Sequence, residues 1–96
     1  SLYYLMYKIS NRQKEQAKKL GYDIKPSSAK NKKIDVLRQD KKIASIGDIR
    51  YQDYSMYIKS RGKAYADERR RLYKIRHNCD DAKRDTPEFL SCNILW

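Results

Sequence analysis

Apolar positions in this chain come in short bursts, and the spacing within the bursts changes along the sequence. The opening run, SLYYLMYKI, is apolar on both alternating faces: Leu2, Tyr4 and Met6 on one, Tyr3, Leu5, Tyr7 and Ile9 on the other. It predicts a strand from Tyr3 to Ile9, covered on both sides or covered by a partner. Ser10 followed by Gln13 is a capping-box pattern, in which the hydroxyl accepts from one free helix N–H and the amide reaches back to another. A helix is therefore expected from Asn11 to Leu20, stopped by Gly21 in a left-handed conformation. Ala17 and Leu20 are nearly all of its apolar face, which places it at the surface. Tyr22 to Asn31, with Pro26, Ser27 and Ser28, reads as an extended connector.

In KKIDVLRQDKKIASIGDI the period drops to two. Ile34 and Val36 alternate with charges, and Ile43, Ala44 and Ile46 follow a turn at Gln39–Lys41. The expected element is a hairpin ended by Gly47. Beyond it the period is helical. Asp53 is placed to cap a helix from Tyr54 to Ser60, and Tyr54, Tyr57, Ile58 and Tyr65 form a stripe at i, i+3, i+4 and i+11. Gly62 interrupts the stripe. A second helix is predicted from Lys63 to about His77, with Ala64, Tyr65, Leu72 and Ile75 facing the core. Asn78 to Asp85 is polar and reads as a loop, and Thr86–Pro87 marks a further helix start. Phe89, Leu90, Ile94, Leu95 and Trp96 then have to be tucked into this domain or into a neighbour. The whole pattern predicts one small basic domain over residues 1–96, of α+β class, with a small antiparallel hairpin or sheet packed against the helices of the C-terminal half.

Charge changes the picture more than composition does. Lys and Arg number 23 against 12 Asp and Glu, a formal net charge of +11. Self-repulsion of that size points to an electronegative partner: nucleic acid, an anionic membrane surface or an acidic protein. The cations concentrate in KAYADERRRLYKIRH, Lys63 to His77, where Asp67 and Glu68 are the only acids. Solvated helix faces normally mix signs. Lys63, Arg70, Lys74 and His77 are expected on the side opposite the core. Arg69 and Arg76 sit at the edge of the apolar arc, from which a guanidinium can fork toward a phosphate or carboxylate. With Arg71 they make up the candidate binding set on this helix. Lys32, Lys33, Lys41 and Lys42 in the hairpin either protect an edge strand or extend the basic patch; the sequence leaves both open. Nine of the eleven aromatics are Tyr. Tyr51, Tyr54, Tyr57, Tyr65 and Tyr73 interleave with the cations, as core side chains or as stacking platforms for bases.

Candidate chemistry is sparse. Cys79 and Cys92 read as reduced thiols in a cytosolic setting, with one bridge closing a short C-terminal loop as the alternative. With His77 they number three potential zinc ligands, at a spacing that zinc sites do not usually have. No nucleophile motif lies near the one His, and the three glycines are isolated, so there is no phosphate-cradling loop. The chain is expected to be non-enzymatic, with no cofactor and no metal. The opening run has no cationic region before it and no cleavage site, unlike a signal peptide. It is also far shorter than the roughly 20 residues of a membrane span.

Several segments add context: IKPSSAKNKKIDV, KKIASIGDIRYQDYSMYI, GKAYADERRRLYKIRH and the terminal ILW. Together they resemble a family of small basic proteins of large nucleocytoplasmic DNA viruses, of the kind that infect algae and protists. The resemblance runs from about Ile24 to His77, plus the last three residues; Asn78 to Asn93 departs from it. It implies a viral product made in the host cell cytoplasm and packaged in the virion, with no catalytic residues to carry over. Within that setting the expected role is a minor capsid or cement component, with basic faces on acidic surfaces of other virion proteins and apolar termini docked into them. The alternative is a DNA-binding architectural protein that organises the genome through phosphate contacts.

Overall fold

The fold is built around a three-stranded antiparallel sheet with helices on both sides of it in sequence. The computed structural model describes residues 6–96. Residues Met6 to Ser10 are irregular, and the rest of the strand expected at Tyr3–Ile9 lies outside the described residues. Helix α1 spans Asn11–Leu20. Ser10 and Gln13 form the reciprocal capping box, and Gly21 closes the helix at φ 86°, where its N–H reaches back to the carbonyls of Ala17 and Lys18. The helix lies at the surface as expected, with one face packed on the rest of the chain. Gln13 and Ala17 are buried, and Gln16 donates to the Asn93 carbonyl of the chain's last segment.

The sheet has the order β1 (Asp23–Pro26), β2 (Lys32–Arg38), β3 (Lys41–Asp48). The segment Tyr22–Asn31 is thus not simply a connector, because Asp23–Pro26 pairs with Leu37–Ile34. That pairing depends on β2 lying beside it, which a local reading of DIKP does not reveal. The hairpin turn uses Gln39 and Asp40, both at positive φ, the geometry whose twist matches the flanking strands. Central strand β2 is covered on both faces: Lys33, Ile34, Asp35 and Val36 are all buried. Ile34, Val36 and Ile46 belong to the core with Ala17, Tyr22, Leu90, Ile94 and Leu95. Buried Asp35 is satisfied by the hydroxyls of Ser27 and Ser45, each donating at 2.6 Å.

Asp53 caps α2 (Tyr54–Arg61) by accepting from the Met56 N–H. Gly62 breaks the stripe, and α3 follows at Lys63–Arg76. Asn78–Asp85 contains a short helical turn at Cys79–Asp81. Thr86 caps α4 (Pro87–Leu90), and a wider turn, Ser91–Leu95, continues it to Trp96. This last segment is interior. Leu90, Ile94, Leu95 and Trp96 are buried in the chain's own core, so the apolar C-terminal residues are not a docking end for a neighbour. Cys79 and Cys92 are bonded to each other, which replaces the reduced-thiol expectation by its alternative. No helix among the described residues is long and apolar enough to cross a membrane.

Candidate functional site

Helix α3 carries most of the candidate cations, and it is turned differently from the expectation. Its residues with reduced exposure include Ala66, Arg69, Arg70, Tyr73, Lys74 and His77, an i, i+3, i+4, i+7, i+8, i+11 stripe. Ala66 is fully buried, whereas Tyr65 is 37% and Ile75 66% exposed. Arg70, Lys74 and His77, expected outside, are therefore half-buried on the inner side, whereas Lys63 is exposed as expected. The reason is aromatic. The Arg70 guanidinium sits 4.2 Å from the Tyr54 ring centroid, and Arg69 lies 5.6 Å from that of Tyr57. Tyr73 stacks on Trp96 at 4.5 Å and on His77 at 4.1 Å. Long basic side chains can cover such rings with their stems and guanidinium planes while their charge reaches water.

The outer positions of α3 are self-neutralised. Lys63 bridges Asp67 at 2.7 Å, and Arg71 bridges Glu68 at 2.6 Å. Asp67 also accepts from the Tyr54 hydroxyl at 2.6 Å and from Arg70 at 3.4 Å. The bonds from Lys63 and then Tyr54 hold its carboxyl below the usual range. Exposed ion pairs of this kind add little stability, but they leave less charge for a partner.

Three cations remain together without a carboxylate partner among the described residues: Lys32, Arg69 and Arg76. They line one cleft of about 490 Å3 between the sheet end and α3. Tyr51, Tyr57, Tyr73 and Trp96 form its aromatic walls, and His77 and Ser91 complete that side. Two acids also line it, and both are engaged. Arg50 clasps Asp48 at 2.7 Å, and its bonds pull that carboxyl down to about 2. Asp53 accepts from the Lys33 ammonium at 2.9 Å and from the Tyr7 hydroxyl at 2.5 Å.

Lys33 is consequently no surface cation. It is 2% exposed, and its charge is matched inside the protein by Asp53. Gly47 makes room for it: a Cβ there would come within 2.9 Å of the Lys33 side chain and 3.0 Å of Leu95, at a φ of 80° that other residues avoid. Lys41 and Lys42 are exposed at the hairpin tip but do not line the cleft. They stand at the opposite end of the strands from Lys32, about 20 Å away at the rise of a β-strand, so tip and helix do not merge into one patch.

Lys74 belongs to a different cluster, against α1. Burial, followed by the charges of Arg70 and Arg12, lowers its pKa. Arg12 stacks 4.5 Å from the Tyr54 ring centroid and donates to the Trp96 carbonyl at 2.9 Å. Sequence reasoning missed one cleft residue, Trp96, which was read only as an apolar end; Tyr51 was among the tyrosines offered as core or as stacking platforms, and it lines the cleft. Among the described residues no group of three His, Cys, Asp or Glu is gathered as a metal site. No protein-family model, curated protein or solved structure matches this chain.

Proposed function

We propose that this protein is a non-enzymatic polyanion-binding module whose ligand is nucleic acid, held through phosphate contacts in the cleft between the sheet and α3. The observation that carries this reading is the convergence of Lys32, Arg69 and Arg76, all without a carboxylate partner among the described residues, beside aromatic walls. Arginine forks onto phosphate oxygens, and phosphates dominate the affinity of such complexes. An acidic protein surface would suit the charges too; the exposed ring of Tyr51 beside them adds a face on which a base can stack. In the viral setting that the sequence resemblance implies, the ligand would be the genome or its transcripts.

The reading is tested by titrating the protein with a duplex and a single-stranded oligonucleotide at about 50 mM salt and repeating the titration at higher salt. Affinity should fall linearly on logarithmic axes, with a slope of about −0.9 per phosphate neutralised on duplex and about −0.7 on a single strand. Arg69→Gln with Arg76→Gln should make that slope shallower by about 1.4 to 1.8, the equivalent of two phosphates. Absence of binding to either form at low salt would overturn the reading.

A structural role in the virus particle, as a minor capsid or cement component, is the second reading. It is favoured by an apolar groove of about 570 Å3 on the far side of α2, where Tyr7, Ile9 and Met56 lie. Its support no longer includes the C-terminal residues, which are interior. Locating the chain in a density map of the intact virion tests it.

A further inference from the structure

Resting on the nucleic-acid reading above, we infer that the cleft takes an unpaired nucleotide, so that the module selects single-stranded over duplex nucleic acid. The shape of the site comes first. Half-buried Arg69 and exposed Arg76 both line the recess, so they stand on a concave wall rather than along a convex ridge. A ridge of cations can follow the backbone of any polyanion, whereas a recess of about 490 Å3 is of the size that holds a small molecule, about 300–1,000 Å3. A nucleotide can enter it only if its base has left the stack. In a duplex the bases are paired and stacked inside, and the recess could receive nothing but backbone.

The second observation is Tyr51. It lines the recess yet is 65% exposed, and it lies outside the buried core. Its ring has one cationic neighbour, the Arg50 guanidinium 5.5 Å from its centroid, which is itself anchored to Asp48. A large ring held at the rim with little to pack against is what base stacking requires. Tyr57, half-buried and 6.0 Å from Trp96, extends the same aromatic surface inward. Lys32, Arg69 and Arg76 supply the phosphate contacts around it.

Trp96 is the one tryptophan of the chain and lines the recess, so its emission reports occupancy directly. The experiment titrates the whole protein with a thymine 20-mer and with a duplex of the same length at about 100 mM salt. The single strand should bind at least about tenfold more tightly and change Trp96 emission. Tyr51→Ala should weaken single-strand binding about 5- to 150-fold, the range of one base–aromatic stack, and weaken duplex binding less. Its unchanged thermal midpoint checks that the variant is folded. Duplex binding as tight as single-strand binding, or indifference of the single strand to Tyr51→Ala, would overturn the inference while leaving the nucleic-acid reading in place. Failure of both forms to bind would overturn the two together.

Discussion

Lys33 and Asp53 show how much one residue pair organises here. The ammonium donates to Asp53 at 2.9 Å and lies 5.3 Å from the Tyr7 ring centroid. Asp53 meanwhile caps α2, and Tyr7 takes a bond from Gln13 of α1 at 2.7 Å. Three elements and the N-terminal segment thus meet on one carboxylate. Burial, followed by the Asp53 charge and hydrogen bond, raises the Tyr7 pKa well above the ordinary tyrosine value, so the hydroxyl stays a donor at all physiological pH. Removing one member of a buried ion pair leaves the other charge uncompensated, so Lys33→Met should cost about 3–5 kcal/mol in urea unfolding. Adding Asp53→Asn, which keeps a capping side chain and removes the orphaned charge, should recover most of that loss. If the double variant is no more stable than the single one, the cost comes instead from the ammonium's contacts with the Tyr7 ring and the Met56 sulfur.

At the scale of elements, what the sequence made legible was governed by neighbours in the chain. The Ser10–Gln13 box, Gly21, the Asp53 cap, the break at Gly62 and the Thr86–Pro87 start are all in place, because each is decided within four or five residues. The short strand at Asp23–Pro26 and the rotation of α3 were not legible, because each depends on residues far along the chain. The apolar count of α3 favoured Tyr65, Leu72 and Ile75 as its inner side. The rings of Tyr54, Tyr57 and Trp96 instead accept arginine planes and Tyr73, and the helix turns to meet them. The same limit applies to the site: Arg69 and Arg76 were placed at the edge of the apolar arc, and they do border the cleft, but Lys33 was read as surface. It alternates with Ile34 as a solvated residue would; that Tyr7 and Met56 lie against it is a tertiary fact. The rotation has a measurable cost. Lys74 faces Arg12 and Arg70, and its lowered pKa means that folding disfavours its charge. Lys74→Met keeps the stem and removes the repulsion, so it should raise the urea midpoint without changing the slope, by no more than about 1 kcal/mol at this partly exposed position.

For the molecule as a whole, the Cys79–Cys92 bond joins the end of α3 to the segment that fills the core, across a sequence separation of 13. Closing a loop of that size restricts the unfolded chain and contributes about 3 kcal/mol. Reduction, or replacement of both cysteines by serine, should lower the thermal midpoint by about 12–24 °C in a domain of this length. A calorimetric scan with and without a thiol reductant checks it. Cys92 is fully buried and Cys79 half-buried, so on the folded protein the reductant has to attack at Cys79.

That covalent tie also holds two walls of the cleft in register. Cys79 comes two residues after His77, and Cys92 lies between Ser91 and Trp96, all three of them cleft-lining. Unlatching it leaves the tryptophan side of the recess joined to the helix side by the Tyr73–Trp96 stack and by no covalent cross-link. The proposed grip on a single strand is therefore expected to follow the electron supply of the surroundings: firm where thiols are scarce, slack where they abound.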